Sequence, residues 1–144
     1  MFPHPAVLLL ASLLSITAAA QAETFEVKML NRGADGAMVY EPDHLRIAPG
    51  DTVRFLPTQA GHNAASIPAL LPAGAEAFKS KLNQVFEHTF GQPGLYGIQC
   101  IPHLAMGMVM LVQVGEPGAT TLPQGLPARA STRLAAQWQK LEAG

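Results

Sequence analysis

The 144-residue sequence predicts an all-β fold of Greek-key type, a β-sandwich or barrel followed by a C-terminal helical extension. Three observations carry that expectation. Short apolar runs alternate with polar residues at strand spacing, Pro- and Gly-rich turns separate them, and a helical spacing of apolar residues appears near the end.

In chain order, Phe25, Val27 and Met29 alternate with polar neighbours and form the first strand. Leu45 with Ile47, and Val53 with Phe55 around Arg54, make two more. Phe86, His88 and Phe90 share one face of a further strand, which places His88 as a buried, hydrogen-bonded core histidine. Residues 95–99 follow, and residues 108–114 are nearly all apolar. The punctuation is Asn31-Arg32-Gly33, Pro49-Gly50-Asp51, Gln92-Pro93-Gly94 and Gly115-Glu116-Pro117-Gly118. Residues 73–81 lack β-branched side chains and are expected to form a short helix after Pro72. Leu134, Trp138 and Leu141 recur at i, i+4 and i+7 behind a cap at Ser131 or Thr132, so this helix lays an apolar stripe on the sandwich. Residues 115–127, rich in Pro, Gly and Thr, connect it.

Composition narrows the class. Apolar residues make up 49% of the chain and charged ones 13%, which supports one packed domain and not a disordered chain. A formal charge of −1 argues against a phosphate-neutralising nucleic-acid binder. No Gly-rich phosphate loop is present either.

Residues 1–22 are expected to be an export signal, cleaved after Ala22 and leaving a mature domain of residues 23–144 whose helical extension is 119–144. The apolar run from Ala6 to Ala20 is broken only by Ser12, Ser15 and Thr17, and Ala20-Gln21-Ala22 suits a signal peptidase. Met1-Phe2-Pro3-His4-Pro5 carries no Lys or Arg, so the signal is atypical or begins upstream. No second apolar run follows, and the mature chain is expected to have no membrane span.

Cys100 is the only cysteine, so no internal disulfide can form. Its thiol is then inert and buried, paired between chains, catalytic or a metal ligand. Cys100-Ile101-Pro102-His103, with Met106 and Met108 beyond, lies between two strands and brings thiolate, imidazole and thioether to one end of the sandwich. Gly61-His62-Asn63 supplies a second imidazole from a separate loop. Two His, a Cys thiolate and a weak axial Met suit copper in electron transfer, because thiolate favours Cu(I) and imidazole tolerates Cu(II). Spacing alone does not choose between Met106 and Met108, which would share a face on a regular strand.

These segments resemble the cupredoxin family of type 1 (blue) copper proteins, in the branch that serves copper nitrite reductase. So do Val27-Lys28-Met29-Leu30-Asn31, Gly36-Ala37-Met38-Val39, Pro49-Gly50-Asp51-Thr52-Val53 and Gly74-Ala75-Glu76-Ala77-Phe78-Lys79-Ser80-Lys81. The resemblance implies an eight-stranded sandwich holding one copper ion on His62, Cys100, His103 and Met108, with Met108 axial. It implies that Asn63 tethers the two ligand loops and donates a hydrogen bond to the Cys100 sulfur. It also implies a monomeric periplasmic carrier that gives electrons to copper nitrite reductase and exchanges them with c-type cytochromes. Pro102 has no N–H and withholds one donor from the sulfur, which favours a lower potential.

Met38, Leu56, Pro57, Pro102, Ala105 and Met106 are expected to form an apolar docking patch around an exposed His103, while Met29 and Met110 are core and His44 is a surface loop residue. The chain departs from its relatives in two places. Gln59-Ala60 and Gln99 are neutral where the family often has lysine, leaving Arg32, Lys79 and Lys81, and residues 122–127 are a poor helix. Other readings remain: electron donation to a different reductase or oxidase, copper delivery, or a Cys–His enzyme. The small domain and the lack of a third orienting group argue against the last.

Overall fold

A computed structural model describes Met1, Ser15, Ile16 and residues 20–144; most of the expected export signal, His4 included, lies outside the described residues. Among the described residues, eight strands form two four-stranded sheets. They are β1 (Thr24–Gly33), β2 (Gly36–Glu41), β3 (His44–Ile47), β4 (Asp51–Leu56), β5 (Ala65–Ser66), β6 (Phe86–Phe90), β7 (Gly94–Gln99) and β8 (Val109–Val114). One sheet runs β2-β1-β4-β6 and the other β3-β8-β7-β5. β1 lies parallel to β4 and β3 parallel to β8, while the remaining pairs are antiparallel. These crossings between sheets make the Greek-key sandwich that the alternating runs predict.

Val27, Met29, Val53, Phe55, Phe90, Ile98, Met110 and Val112 fill the space between the sheets, each fully buried. β8 is buried on both faces, which accounts for its nearly unbroken apolar sequence. Met110, Val112 and Val114 face the sandwich, whereas Val109 and Leu111 face α1 (Ala128–Ala143), the one α-helix among the described residues. Ala130, Leu134 and Leu141 of α1 are buried on that second layer, and Trp138 is half-buried beside them. Each buried leucine contributes about 2 kcal/mol of transfer free energy, so the stripe is enough to dock the helix.

Three expectations are corrected. Residues 73–81 form no helix: the Ser66 N–H bonds to the Phe78 carbonyl and the Ser80 N–H to the Ala64 carbonyl, at 2.9 and 2.8 Å. Phe78 is thereby buried in the core, so sheet-edge pairing overrides local helix preference. α1 begins earlier than the Ser131 or Thr132 cap, with Pro127 at its N-cap and no side-chain cap bond. His88 is half-buried, and its ring has no protein hydrogen bond among the described residues; the ring lies against Phe78 at 4.1 Å between centroids and meets Phe90 edge-on at 4.7 Å. His44 opens β3, with Nδ1 2.7 Å from Asp43 Oδ1.

The His88 environment makes a pH prediction. Burial pushes its imidazole below the ordinary value, with Glu76 pulling it up by less. The folded chain therefore holds fewer protons here than the unfolded chain. The associated stability is complete above about pH 6.5 and is lost as pH falls through the lowered folded value. Urea midpoints of the parent and His88→Phe should diverge below that pH, by less than about 1 kcal/mol for a half-exposed ring. Parallel pH profiles would assign the acid sensitivity elsewhere.

Candidate metal centre

Cys100 directly follows β7 in extended backbone, and Pro102 then sits in the first turn of a short 3-10 segment, Ile101–Met106, where a missing N–H costs nothing. Gly107 ends that segment at φ +86, and a side chain there would meet the Arg129 backbone at 3.1 Å, so conformation and close approach both require glycine. The loop is closed by its own backbone. The Cys100 N–H donates to the Met108 carbonyl at 3.0 Å, and the Met108 N–H to the His103 carbonyl at 3.2 Å.

His62 approaches from the loop after β4. Gly61, at φ +102, donates its N–H to Asn83 Oδ1 at 2.6 Å, and the Asn83 N–H returns to the His62 carbonyl at 3.0 Å. The His62 Nε2 lies 2.7 Å from Asn31 Oδ1. An amide oxygen only accepts, so Nε2 carries the proton and Nδ1 keeps its lone pair. Burial, then the neighbouring His103, holds His62 below its ordinary value, which keeps that lone pair free.

Three donor atoms converge. Cys100 Sγ lies 3.7 Å from His62 Nδ1 and 3.5 Å from His103 Nδ1, and the two nitrogens are 3.2 Å apart. A triangle with those sides has its centre about 2.0 Å from every corner, within the span of metal–nitrogen and metal–sulfur bonds. His62 and Cys100 are fully buried, and His103 is half-buried at the rim. Of the two methionines, Met108 is fully buried whereas Met106 is 38% exposed. Burial raises the Cys100 thiol, while the backbone N–H groups of Asn63 and His103 pull it down by less. Metal uptake at this sulfur therefore releases a proton.

Asn63 bridges the two ligand loops. Its Oδ1 accepts from the Ile101 N–H at 2.9 Å and its Nδ2 donates to the Ser80 carbonyl at 3.3 Å. Pro102 has no N–H to offer the sulfur, and the His103 N–H donates to the Cys100 carbonyl at 3.1 Å. The Tyr40 hydroxyl donates to the Asn63 carbonyl at 2.7 Å; burial first and Cys100 second hold that phenol well above its usual value, so it stays a donor. Sequence reasoning missed Asn31, Tyr40 and Asn83. Of these, Asn83 alone left a local trace, in the tolerance of asparagine for its positive φ of 60.

Met38, Leu56 and Pro57 are half-buried, whereas Pro102 and Ala105 are exposed along with Met106. Ile101, Leu82 and Val85, which the sequence reading did not include, are also exposed, at 45%, 51% and 51%. Leu82 and Ile101 line an open groove of about 590 Å³ beside Asn63 and Pro102, flanked by Lys79 and Lys81.

A Greek-key sandwich whose loops aim two imidazole nitrogens and one buried thiol sulfur at a single point defines the class of small copper-binding β proteins. Residues 27–115 match the family described as copper binding proteins, plastocyanin/azurin family. The chain is 46% identical over 134 residues to pseudoazurin of Paracoccus pantotrophus, covering 93% of this chain and 89% of that one. It is 48% identical over 113 residues to a putative pseudoazurin of Rhizobium leguminosarum bv. viciae, covering 78% and 74%. The crystal structure of native pseudoazurin from Hyphomicrobium denitrificans superposes with a TM-score of 0.72 at 33% identity, over 81% of this chain and 97% of that one. The chain belongs to the plastocyanin/azurin family of copper-binding proteins, in its pseudoazurin branch. It is an electron carrier whose cofactor is copper.

Proposed function

We propose that the mature chain is a periplasmic one-electron carrier, in which His62, Cys100, His103 and Met108 would hold copper, that donates electrons to copper nitrite reductase. The bound ion supplies reversible Cu(II)/Cu(I) exchange, one electron in and one out, with no substrate bond made or broken. The convergence of Cys100 Sγ with the two Nδ1 atoms carries this reading. The protein's part is to hold that frame still. Backbone bonds close the Cys100–Met108 loop, Asn63 binds it to the His62 loop, and Asn31 fixes the His62 tautomer. A frame that does not rearrange keeps the reorganisation cost of electron transfer small. The apolar stretch before Ala20-Gln21-Ala22 supports export.

His103 is the ligand that reaches the surface, so the electron leaves through its ring. Pro102, Ala105 and Met106, with Met38, Leu56 and Pro57, supply an apolar rim suited to contacts that form and break quickly. Gln59 adds no charge to that rim: its Oε1 accepts from the Asn31 and Arg32 N–H groups. Steering by Lys79, Lys81 and Arg32 is correspondingly modest.

Stopped-flow oxidation of the reduced protein by a copper nitrite reductase tests both parts. Rates should fall less than about threefold across an ionic-strength series that collapses the screening length, whereas Met106→Lys or Ala105→Glu should slow transfer about tenfold. A steep salt dependence with silent rim variants would make charge the governing contact. No transfer to that reductase, with fast transfer to a c-type cytochrome or an oxidase, would replace the partner and leave the carrier.

A further inference from the structure

We propose that Arg133, on α1, is a positioning residue for the metal centre: one guanidinium holds both the backbone beside Met108 and the strand carrying Met38. Its Nη1 donates to the Gly107 carbonyl at 2.9 Å and to the Met38 carbonyl at 2.6 Å, and its Nη2 to the Ala37 carbonyl at 2.7 Å. Among the described residues no carboxylate lies within ion-pair distance of it. The forked guanidinium is therefore committed to three carbonyls on two segments, through two nitrogens whose positions its planar fork fixes, whereas a lysine would act from one atom.

Each carbonyl matters for a stated reason. The Gly107 C=O and the Met108 N–H belong to one planar peptide, so holding the first orients the second. That N–H bonds to the His103 carbonyl, so the constraint links two of the residues that face the site. On the other segment, Met38 adopts φ +52, a left-handed conformation that costs a non-glycine residue about 1 kcal/mol. The β1–β2 ladder pairs Leu30 with Val39 and Arg32 with Ala37, and lacks the Asn31–Met38 pair between them. Two of the backbone groups there have side-chain partners. The Met38 carbonyl goes to Arg133, and the Asn31 N–H goes to Gln59 while the Asn31 side chain takes His62. The opened pair is where α1, the docking rim and the buried histidine meet. Close packing of Gly107 on Arg129 fixes the distance at which Arg133 acts.

The proposal rests on the copper reading, so its test includes a metal-free measurement. Arg133→Gln should still bind one copper per chain but change the ratio of the two thiolate-to-copper absorption bands. In the metal-free protein, amide exchange at Met108 should quicken about tenfold, the order expected from losing a charge-assisted hydrogen bond. Arg46→Gln is the control, because Arg46 Nη2 donates to the Leu141 carbonyl at the far end of the same helix, at 2.5 Å. It should lower the thermal midpoint yet leave both the band ratio and Met108 exchange unchanged. Arg133→Lys, which keeps the charge and part of the bonding, should fold and also displace the band ratio. If Arg133→Gln matches Arg46→Gln, or if Arg133→Lys is spectrally unchanged where the glutamine variant does not fold, Arg133 only fastens the helix. Failure of the unmodified protein to turn blue would overturn the copper reading instead, and the exchange rates would still judge Arg133.

Discussion

Cys100→Ser is expected to abolish the intense blue absorption of the copper-loaded protein, the largest single effect any substitution here should have. That absorption is thiolate-to-copper charge transfer, and Cys100 is the only cysteine in the chain. A serine hydroxyl is neither soft nor ionised at neutral pH, so whatever copper remains loses both its colour and its efficient electronic route. Met108→Gln should retain copper and colour but lower the potential by at least about 60 mV, a tenfold change in relative affinity for Cu(I) over Cu(II). Met106→Gln should leave the spectrum unchanged, since Met106 is exposed while Met108 is fully buried. Absorption spectra and redox titrations of the three variants decide this. A larger spectral change in Met106→Gln than in Met108→Gln would exchange the two methionines' roles.

The second large effect is expected at Asn63. Asn63→Ala removes the acceptor for the Ile101 N–H and the donor to the Ser80 carbonyl, leaving polar backbone without partners at the junction of both ligand loops. The cost should be about 2–3 kcal/mol in the metal-free protein, read from denaturant unfolding. Asn63→Asp keeps the acceptor for Ile101 and loses only the donor to Ser80, so it should recover part of that loss. Equal destabilisation by alanine and aspartate would mean that the Ser80 bond, and not the tie between ligand loops, carries the stability.

The period-two runs were sufficient for most of the sandwich. Val27 and Met29, Val53 and Phe55, and Leu45 and Ile47 fall on the strands their alternation predicts, because one face of each meets the core. Residues 73–81 were misleading for a related reason. Their composition is locally neutral, and the partner that pulls them into extended form, β5, lies earlier in the chain. His88 was read too simply as well: strand alternation set its face but not its depth, and the sheet edge leaves that face partly open to water.

The candidate site divides along the same line. Cys100, His103 and Met108 are legible because one short loop carries three unlike donors, and Gly61-His62-Asn63 is recognisable beside it. Asn31, Tyr40 and Arg133 are not, since an asparagine, a tyrosine or an arginine reads the same in sequence whether or not it serves a metal loop. Their partners are 31, 23 and 26 or more positions away. The sequence by itself determined the strand pattern, the donor types and their order, all of which are short-range properties of the chain. Only the tertiary structure decided which nitrogen of His62 faces the sulfur, which backbone N–H groups reach Cys100, and which helix residue holds the Met108 peptide. Hydrogen bonds are directional and short, so their partners are chosen by where the packed sheets and helix bring distant backbone, and no local pattern encodes that.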